Sequence, residues 1–147
     1  NIHNDKKIQK LYISRSKLCP SVRTFAQEAE LEYQLKNRGW VIYHPEEYSI
    51  REQLIIYQSV KNICALEGSA IHLLFGANTK NLENFTLICR ENENNFTKQL
   101  KAQQITYSAI TALEDVPWCT KSLPLKDVKL KPNITLNQLV RLIEVHN

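Results

Sequence analysis

The sequence predicts an α/β protein, built as a three-layer α/β/α sandwich around a mainly parallel sheet. Short runs of β-branched and aromatic residues alternate with helical patterns along most of the chain. The run at residues 63–66 is apolar throughout, which is typical of a strand that helices cover on both faces. The segments between successive runs are long enough for right-handed crossovers, so consecutive strands can run parallel. These observations favour a Rossmann-like sheet.

The strands and the first helix follow from these patterns. The first helix is expected to open at residues 21–23 and to end near Gly39, which is a plausible C-cap. The strands are predicted at residues 10–14, 40–43, 63–66, 85–89 and 105–110. The apolar face of the first helix is predicted to comprise Val22, Phe25, Ala26, Ala29 and Tyr33.

Two capping-box pairs predict where further helices begin. Ser49 and Glu52 are three residues apart, and so are Thr135 and Gln138, which precede a C-terminal amphipathic helix within residues 134–147. In such a pair each residue satisfies a main-chain N–H group of the other. The helix after the first pair is predicted to bury Ile50, Leu54 and Tyr57.

The remaining segments carry weaker signals. Ser69 is expected to cap a short apolar helix over residues 70–75, and residues 94–102 have a weak helical pattern. Residues 111–133 contain three prolines and little periodicity. We expect this stretch to lie across the surface, pinned by Trp118, because long structureless stretches are uncommon inside compact domains.

Length and composition indicate a single globular domain over residues 1–147. Apolar residues make up 43% of the chain and charged residues 23%. No apolar run reaches the 18 or so residues of a transmembrane helix, and residues 1–10 do not resemble a signal peptide. The chain has no methionine, even at position 1. We therefore expect it to be processed or to be part of a longer chain.

Charge and cysteine content exclude some classes of function. The net charge of +4 is mild, and a nucleic-acid binder usually carries a stronger, clustered excess. The four cysteines are widely spaced and match no metal-ligand pattern. We expect Cys64 and Cys89, which fall in apolar runs, to be reduced core thiols in a cytoplasmic protein.

Parallel α/β sheets bind ligands beyond the carboxyl ends of their strands. This rule selects residues 14–23, 44–53 and 67–72. Arg15 follows the first strand and Arg23 lies near the start of the first helix, so the two could clamp a diphosphate. The alternative is that both arginines are solvated surface charges.

The third place combines a carboxylate with a small turn. Glu67 ends an apolar strand and is a candidate base or ribose ligand, or else simply a partly exposed glutamate. The turn at Gly68, Ser69 and Ala70 would let an anion approach main-chain N–H groups, or would only connect a strand to a helix. His72 is a candidate catalytic group or a histidine satisfied within the core.

Several short motifs, taken in order, resemble glycosyltransferase family 61. They are residues 11–15, Arg23 with Gln27 and Glu28, Gly39 and Trp40, Pro45 and Glu46, residues 49–53, residues 67–70, and Leu74 and Phe75. Their order and approximate spacing are similar to those of the bacterial branch, over about residues 10–76. The chain departs from the family pattern at Gln27, Glu67 and Ser69, where Asn, His and Ala are usual, and at His72, where Asn is frequent.

The resemblance implies a two-domain GT-B-like enzyme, of which this chain would be the C-terminal, donor-binding half without its N-terminal domain. Such an enzyme would transfer a sugar from a nucleotide sugar to a glycan acceptor in capsular or other surface polysaccharide synthesis, at the inner face of the membrane. It needs no metal or other cofactor in principle. The catalytic candidates are Glu67 and His72. The donor-binding candidates are Arg15, Arg23, Glu28, Gln53, Gly68, Ser69 and Ala70.

Two other interpretations stay open at the level of sequence. One is a non-catalytic α/β module that binds a nucleotide or a protein partner. The other is a receiver-like regulatory domain, which requires an acidic cluster at the strand ends. The first two predicted strands end without Asp, so this third interpretation ranks last.

Overall fold

The computed structural model describes residues 8–18, 25–115 and 128–147. Within them one sheet comprises β1 (Lys10–Ile13), β2 (Val41–Tyr43), β3 (Asn62–Leu66), β4 (Asn84–Cys89) and β5 (Tyr107–Thr111). The strand order is β2-β1-β3-β4-β5, and every neighbouring pair runs parallel. The predicted Rossmann-like α/β fold is therefore confirmed.

Helices cover both faces of this sheet. One face packs against α1 (Glu28–Lys36) and α4 (Leu136–Val145). The other packs against α2 (Ile50–Ser59), a 3₁₀ helix over Ser69–Gly76, and α3 (Asn95–Ala102). A shorter 3₁₀ turn over Pro45–Glu47 joins β2 to α2. Among the described residues, no helix has the length and apolar character needed to cross a membrane.

The central strand β3 shows why the chain folds as three layers. Successive side chains of a strand point to opposite faces. Ile63 and Ala65 therefore join the core under α2 and the 3₁₀ helix, whereas Cys64 and Leu66 join the core under α1 and α4. All four side chains are buried. The continuously apolar run thus predicted the burial of this strand on both faces correctly.

Both predicted capping boxes are present. The Ser49 hydroxyl accepts from the Glu52 N–H group over 3.3 Å, and the Glu52 carboxylate accepts from the Ser49 N–H group over 2.8 Å. Thr135 and Gln138 make the same reciprocal pair before α4. These predictions depend only on neighbours within one helical turn.

The predicted buried faces of the first two helices are only partly correct, and α1 begins at Glu28 rather than at residues 21–23. Phe25 and Tyr57 are buried as predicted. In α1 the buried residues are Glu28, Leu31 and Leu35, whereas Tyr33 is exposed. Ala26 and Ala29 are also exposed, and residues 21–24 lie outside the described part. In α2 the buried residues are Ile56 and Tyr57, and Ile50 is exposed. The buried face of α1 includes the Glu28 carboxylate, which hydrogen-bond donors satisfy inside the protein, so it differs from the apolar face that the periodicity predicted.

Three local predictions also need correction. Gly39 is not the C-cap of α1, which is Asn37; it lies in the turn beyond, at φ +83°. Ser69 caps no helix, because Gly68 holds the N-cap position and no side chain caps the 3₁₀ helix. In the stretch 111–133, Ala112 and Leu113 are buried rather than on the surface. Trp118 lies outside the described residues.

Candidate functional site

The site lies where the order of the strands reverses, between β1 and β3. The chain leaves β1 towards the face of α1 and leaves β3 towards the face of the 3₁₀ helix. The connections therefore diverge beyond the carboxyl ends of these two strands, and in open α/β sheets such divergence forms the crevice in which ligands bind.

Arg15 reaches across this crevice from β1 to β3. Its Nη1 atom donates a hydrogen bond to the main-chain carbonyl of Glu67 over 2.9 Å. A Cβ atom at Gly68 would overlap Nη1 and would lie 2.9 Å from Cζ of the same side chain. The absence of a side chain at Gly68 therefore lets the guanidinium group lie against the main chain that leads into the 3₁₀ helix.

Glu28 supports Arg15 from beneath. The side chain is 2% exposed, and its Oε1 atom accepts from the Arg15 N–H group over 2.8 Å and from the Tyr12 hydroxyl over 3.0 Å. Burial raises the pKa of Glu28, although both hydrogen bonds act in the opposite direction. Burial also raises the pKa of Tyr12, and the negative charge of the neighbouring Glu28 raises it further. The Tyr12 hydroxyl therefore stays protonated and remains a donor. Glu28 thus fixes the main chain from which the Arg15 side chain extends.

The carboxylate of Glu67 binds a second arginine that the sequence analysis did not single out. Glu67 is 9% exposed and accepts hydrogen bonds from Nε and from the main-chain N–H group of Arg90. Arg90 directly follows β4, the neighbour of β3, as Arg15 follows β1 with one intervening residue. This position after a strand was the signal that could have identified it.

The other predicted site residues lie around this centre or apart from it. Ser69 is exposed beside Gly68, and Ala70 packs against the core. Gln53 donates to the carbonyl groups of Pro45 and Tyr48 over 2.8 and 3.0 Å, so it shapes the loop after β2. Arg23 lies outside the described residues.

His72 is exposed on the 3₁₀ helix that follows Gly68. Its ring centroid lies 5.2 Å from that of Phe96 at the start of α3. The sequence allowed two interpretations of His72, a catalytic group or a histidine buried in the core. Its exposure excludes the buried core histidine. Its role as a catalytic group stays a prediction.

The described residues contain no group of three or more Asp, Glu, His or Cys side chains placed to hold a metal ion. Two guanidinium groups meet at Glu67, because Arg15 binds its carbonyl and Arg90 binds its carboxylate. Arginine forks of this kind are well matched to phosphate oxygens.

The fold and the site together define a Rossmann-like α/β domain in which Arg15 contacts the main chain at Glu67 and Gly68 at the β1–β3 switch point. The sequence model of the family Glycosyltransferase 61 matches residues 1–82, which is more than half of the chain. The chain therefore belongs to glycosyltransferase family 61, as the motifs predicted. No curated protein and no solved structure matches it. The matched region ends just before β4, so it contains Arg15, Glu28 and Gly68 but not Arg90.

Proposed function

We propose that this chain binds the nucleotide-sugar donor of a glycosyltransferase that extends a surface or capsular polysaccharide. The observation that carries the proposal is the guanidinium group of Arg15, held at the β1–β3 switch point by the Glu67 carbonyl and the space above Gly68. Membership of glycosyltransferase family 61 supports the reaction class.

In this proposal the chain stabilises the leaving group. An acceptor hydroxyl attacks the anomeric carbon of the donor, the bond to the diphosphate breaks, and negative charge develops on the diphosphate oxygens. In this proposal Arg15 and the main chain at Gly68 supply the hydrogen-bond donors that stabilise that charge. Glu28 and Gln53 are positioning residues in this proposal. Glu28 fixes the main chain of Arg15, and Gln53 fixes the loop after β2.

The base that accepts the acceptor proton is a separate question. The Glu67 carboxylate already accepts from Arg90, which favours a positioning role for this residue. His72 is exposed and accessible from solvent. We propose that the acceptor binds to a second domain of the GT-B-like enzyme, and that this domain also carries part of the catalytic machinery.

Thermal unfolding with a panel of nucleotides tests the proposal. UDP, GDP, CMP and ADP, followed by their sugar conjugates, are each added to the chain. A ligand at about 100 times its Kd stabilises a protein by about 2.7 kcal/mol. We expect one nucleotide class to raise the Tm selectively and Arg15→Ala to abolish the shift.

Arg38→Ala is the matched control. Arg38 is an exposed arginine that donates to a carbonyl of its own helix region, away from the crevice. It should leave the nucleotide-dependent shift unchanged. Equal shifts for Arg15→Ala and the unchanged chain would contradict the role of Arg15. No shift with any nucleotide would contradict donor binding and would favour a module that binds a protein partner.

A further inference from the structure

We infer that Arg90 is a second phosphate ligand of the same crevice, positioned there by Glu67, and that the crevice therefore selects diphosphates over monophosphates. This inference rests on the proposed function but concerns a residue outside the matched family region. It assigns a binding role to Arg90 and a positioning role to Glu67.

The topology places the two arginines on either side of one residue. Because β1 and β4 are the two neighbours of β3, the residues that follow these strands flank the end of β3. The Glu67 carbonyl accepts from Arg15, and the Glu67 carboxylate accepts from Arg90. Two guanidinium groups that contact the same residue can bind adjacent phosphate groups of one ligand.

Arg90 is held firmly and yet keeps donors available. Glu67 binds its Nε atom and its main-chain N–H group, and the Lys131 ammonium group donates to its carbonyl over 3.0 Å. Among residues 8–18, 25–115 and 128–147, its two Nη groups donate no hydrogen bond, and its side chain is 29% exposed. A fixed fork with unused donors loses little conformational entropy when it binds an anion.

The charges around Arg90 indicate where the phosphate lies. Arg90 also borders a cavity of about 220 Å³ whose other lining residues are Glu67, Glu91, Asn94 and Asp115. Neither Arg15 nor Gly68 is among the described lining residues of that cavity. The carboxylates disfavour an anion in that cavity, so in this inference the second phosphate binds the Nη groups of Arg90 from outside it.

Binding of a nucleoside monophosphate, the matching diphosphate and inorganic pyrophosphate, measured by calorimetry, tests the inference. Arg90→Ala should weaken diphosphate and pyrophosphate binding about tenfold or more, because charge-assisted hydrogen bonds are lost. It should change monophosphate binding by no more than about twofold. Arg90→Lys keeps the charge without the fork, so its diphosphate affinity should be intermediate.

Glu67→Ala distinguishes positioning from simple charge. It raises the net charge of the crevice but releases Arg90, so we expect weaker diphosphate binding despite the added positive charge. Glu67→Gln retains an acceptor for Nε and should recover part of the affinity. Stronger binding by Glu67→Ala would overturn the positioning role.

The outcomes separate this inference from the proposed function. If the unchanged chain binds a diphosphate and Arg90→Ala binds it equally well, the inference fails and the proposed function stands. If the chain binds pyrophosphate through Arg90 but no nucleotide, the inference stands and the proposed function fails. If it binds neither, both fail. If Arg90→Ala does not fold, the diphosphate affinity of Arg90→Lys tests the inference instead. An affinity equal to that of the unchanged chain would then overturn it.

Discussion

The Nη1 atom of Arg15 occupies the place where a side chain at Gly68 would begin. The two residues are 53 positions apart in the chain, yet parallel pairing of β1 with β3 places them side by side. Gly68 has φ 166°, which any residue can adopt, so the requirement for glycine here is steric. The contact makes Gly68 a determinant of the Arg15 position.

We predict that Gly68→Ala weakens nucleotide binding with little change in stability. The new methyl group would displace a flexible arginine end rather than main-chain atoms, so the fold can adjust easily. Gly76→Ala is the matched control, because a Cβ atom there meets nothing within 4 Å. Thermal unfolding with and without nucleotide measures both effects. A Gly68→Ala variant that binds as tightly as Gly76→Ala would contradict the steric role.

We predict that Glu28→Gln changes how stability depends on pH. The raised pKa means that the native state holds this proton more tightly than the unfolded state. The stability that this bound proton contributes is fully present below pH 4.5, the ordinary pKa of glutamate. It is lost as the pH rises through the higher native pKa. Glutamine cannot titrate, so Glu28→Gln does not lose this stability as the pH rises. Its stability relative to the unchanged chain should therefore increase from acidic towards neutral pH.

Urea unfolding at several pH values measures this difference. Glu30→Gln, on the exposed side of α1, serves as the control, and its relative stability should show no comparable rise. A constant difference between Glu28→Gln and the unchanged chain across this range would rule out the proton linkage.

We predict that Glu144→Ala destabilises the docking of α4 without affecting nucleotide binding. Glu144 accepts from the Trp40 indole N–H group over 2.6 Å and pairs with Lys10 over 3.3 Å. Trp40 is only 2% exposed, so removal of the acceptor leaves a buried donor unsatisfied, at about 1–3 kcal/mol. Urea unfolding followed by tryptophan emission measures the loss. Glu144→Gln retains an acceptor and should lose less, and equal stabilities would refute this account.

We predict that Cys64 and Cys89 resist alkylation in the native protein. Both thiols are 0% exposed and unpaired. Burial raises the pKa of Cys64 and raises that of Cys89 to about 12, so the reactive thiolate is scarce at neutral pH. Iodoacetamide labelling with peptide mass mapping should show both residues unmodified in buffer and modified in urea. Labelling of either residue in buffer, at the rate seen in urea, would contradict the burial.

The sequence predicted best what depends on near neighbours. The Ser49–Glu52 and Thr135–Gln138 boxes were predicted correctly because each depends on two residues three positions apart. The apolar run of β3 identified a buried strand because helices on both faces require apolar side chains at every position. The burial of Glu28 in α1 was not predicted, since it depends on donors supplied by Tyr12 in β1 and by Arg15 just after that strand.

The sequence by itself determined the parallel α/β class, the family and the candidate Arg15, because these follow from local patterns and ordered motifs. Only the tertiary structure decided that Glu67 contacts both Arg15 and Arg90, since these contacts depend on which strands are neighbours. The order β2-β1-β3-β4-β5 brings residues from three separate strand ends to one edge of the sheet. Strand order is a property of long-range packing, and no local pattern encodes it.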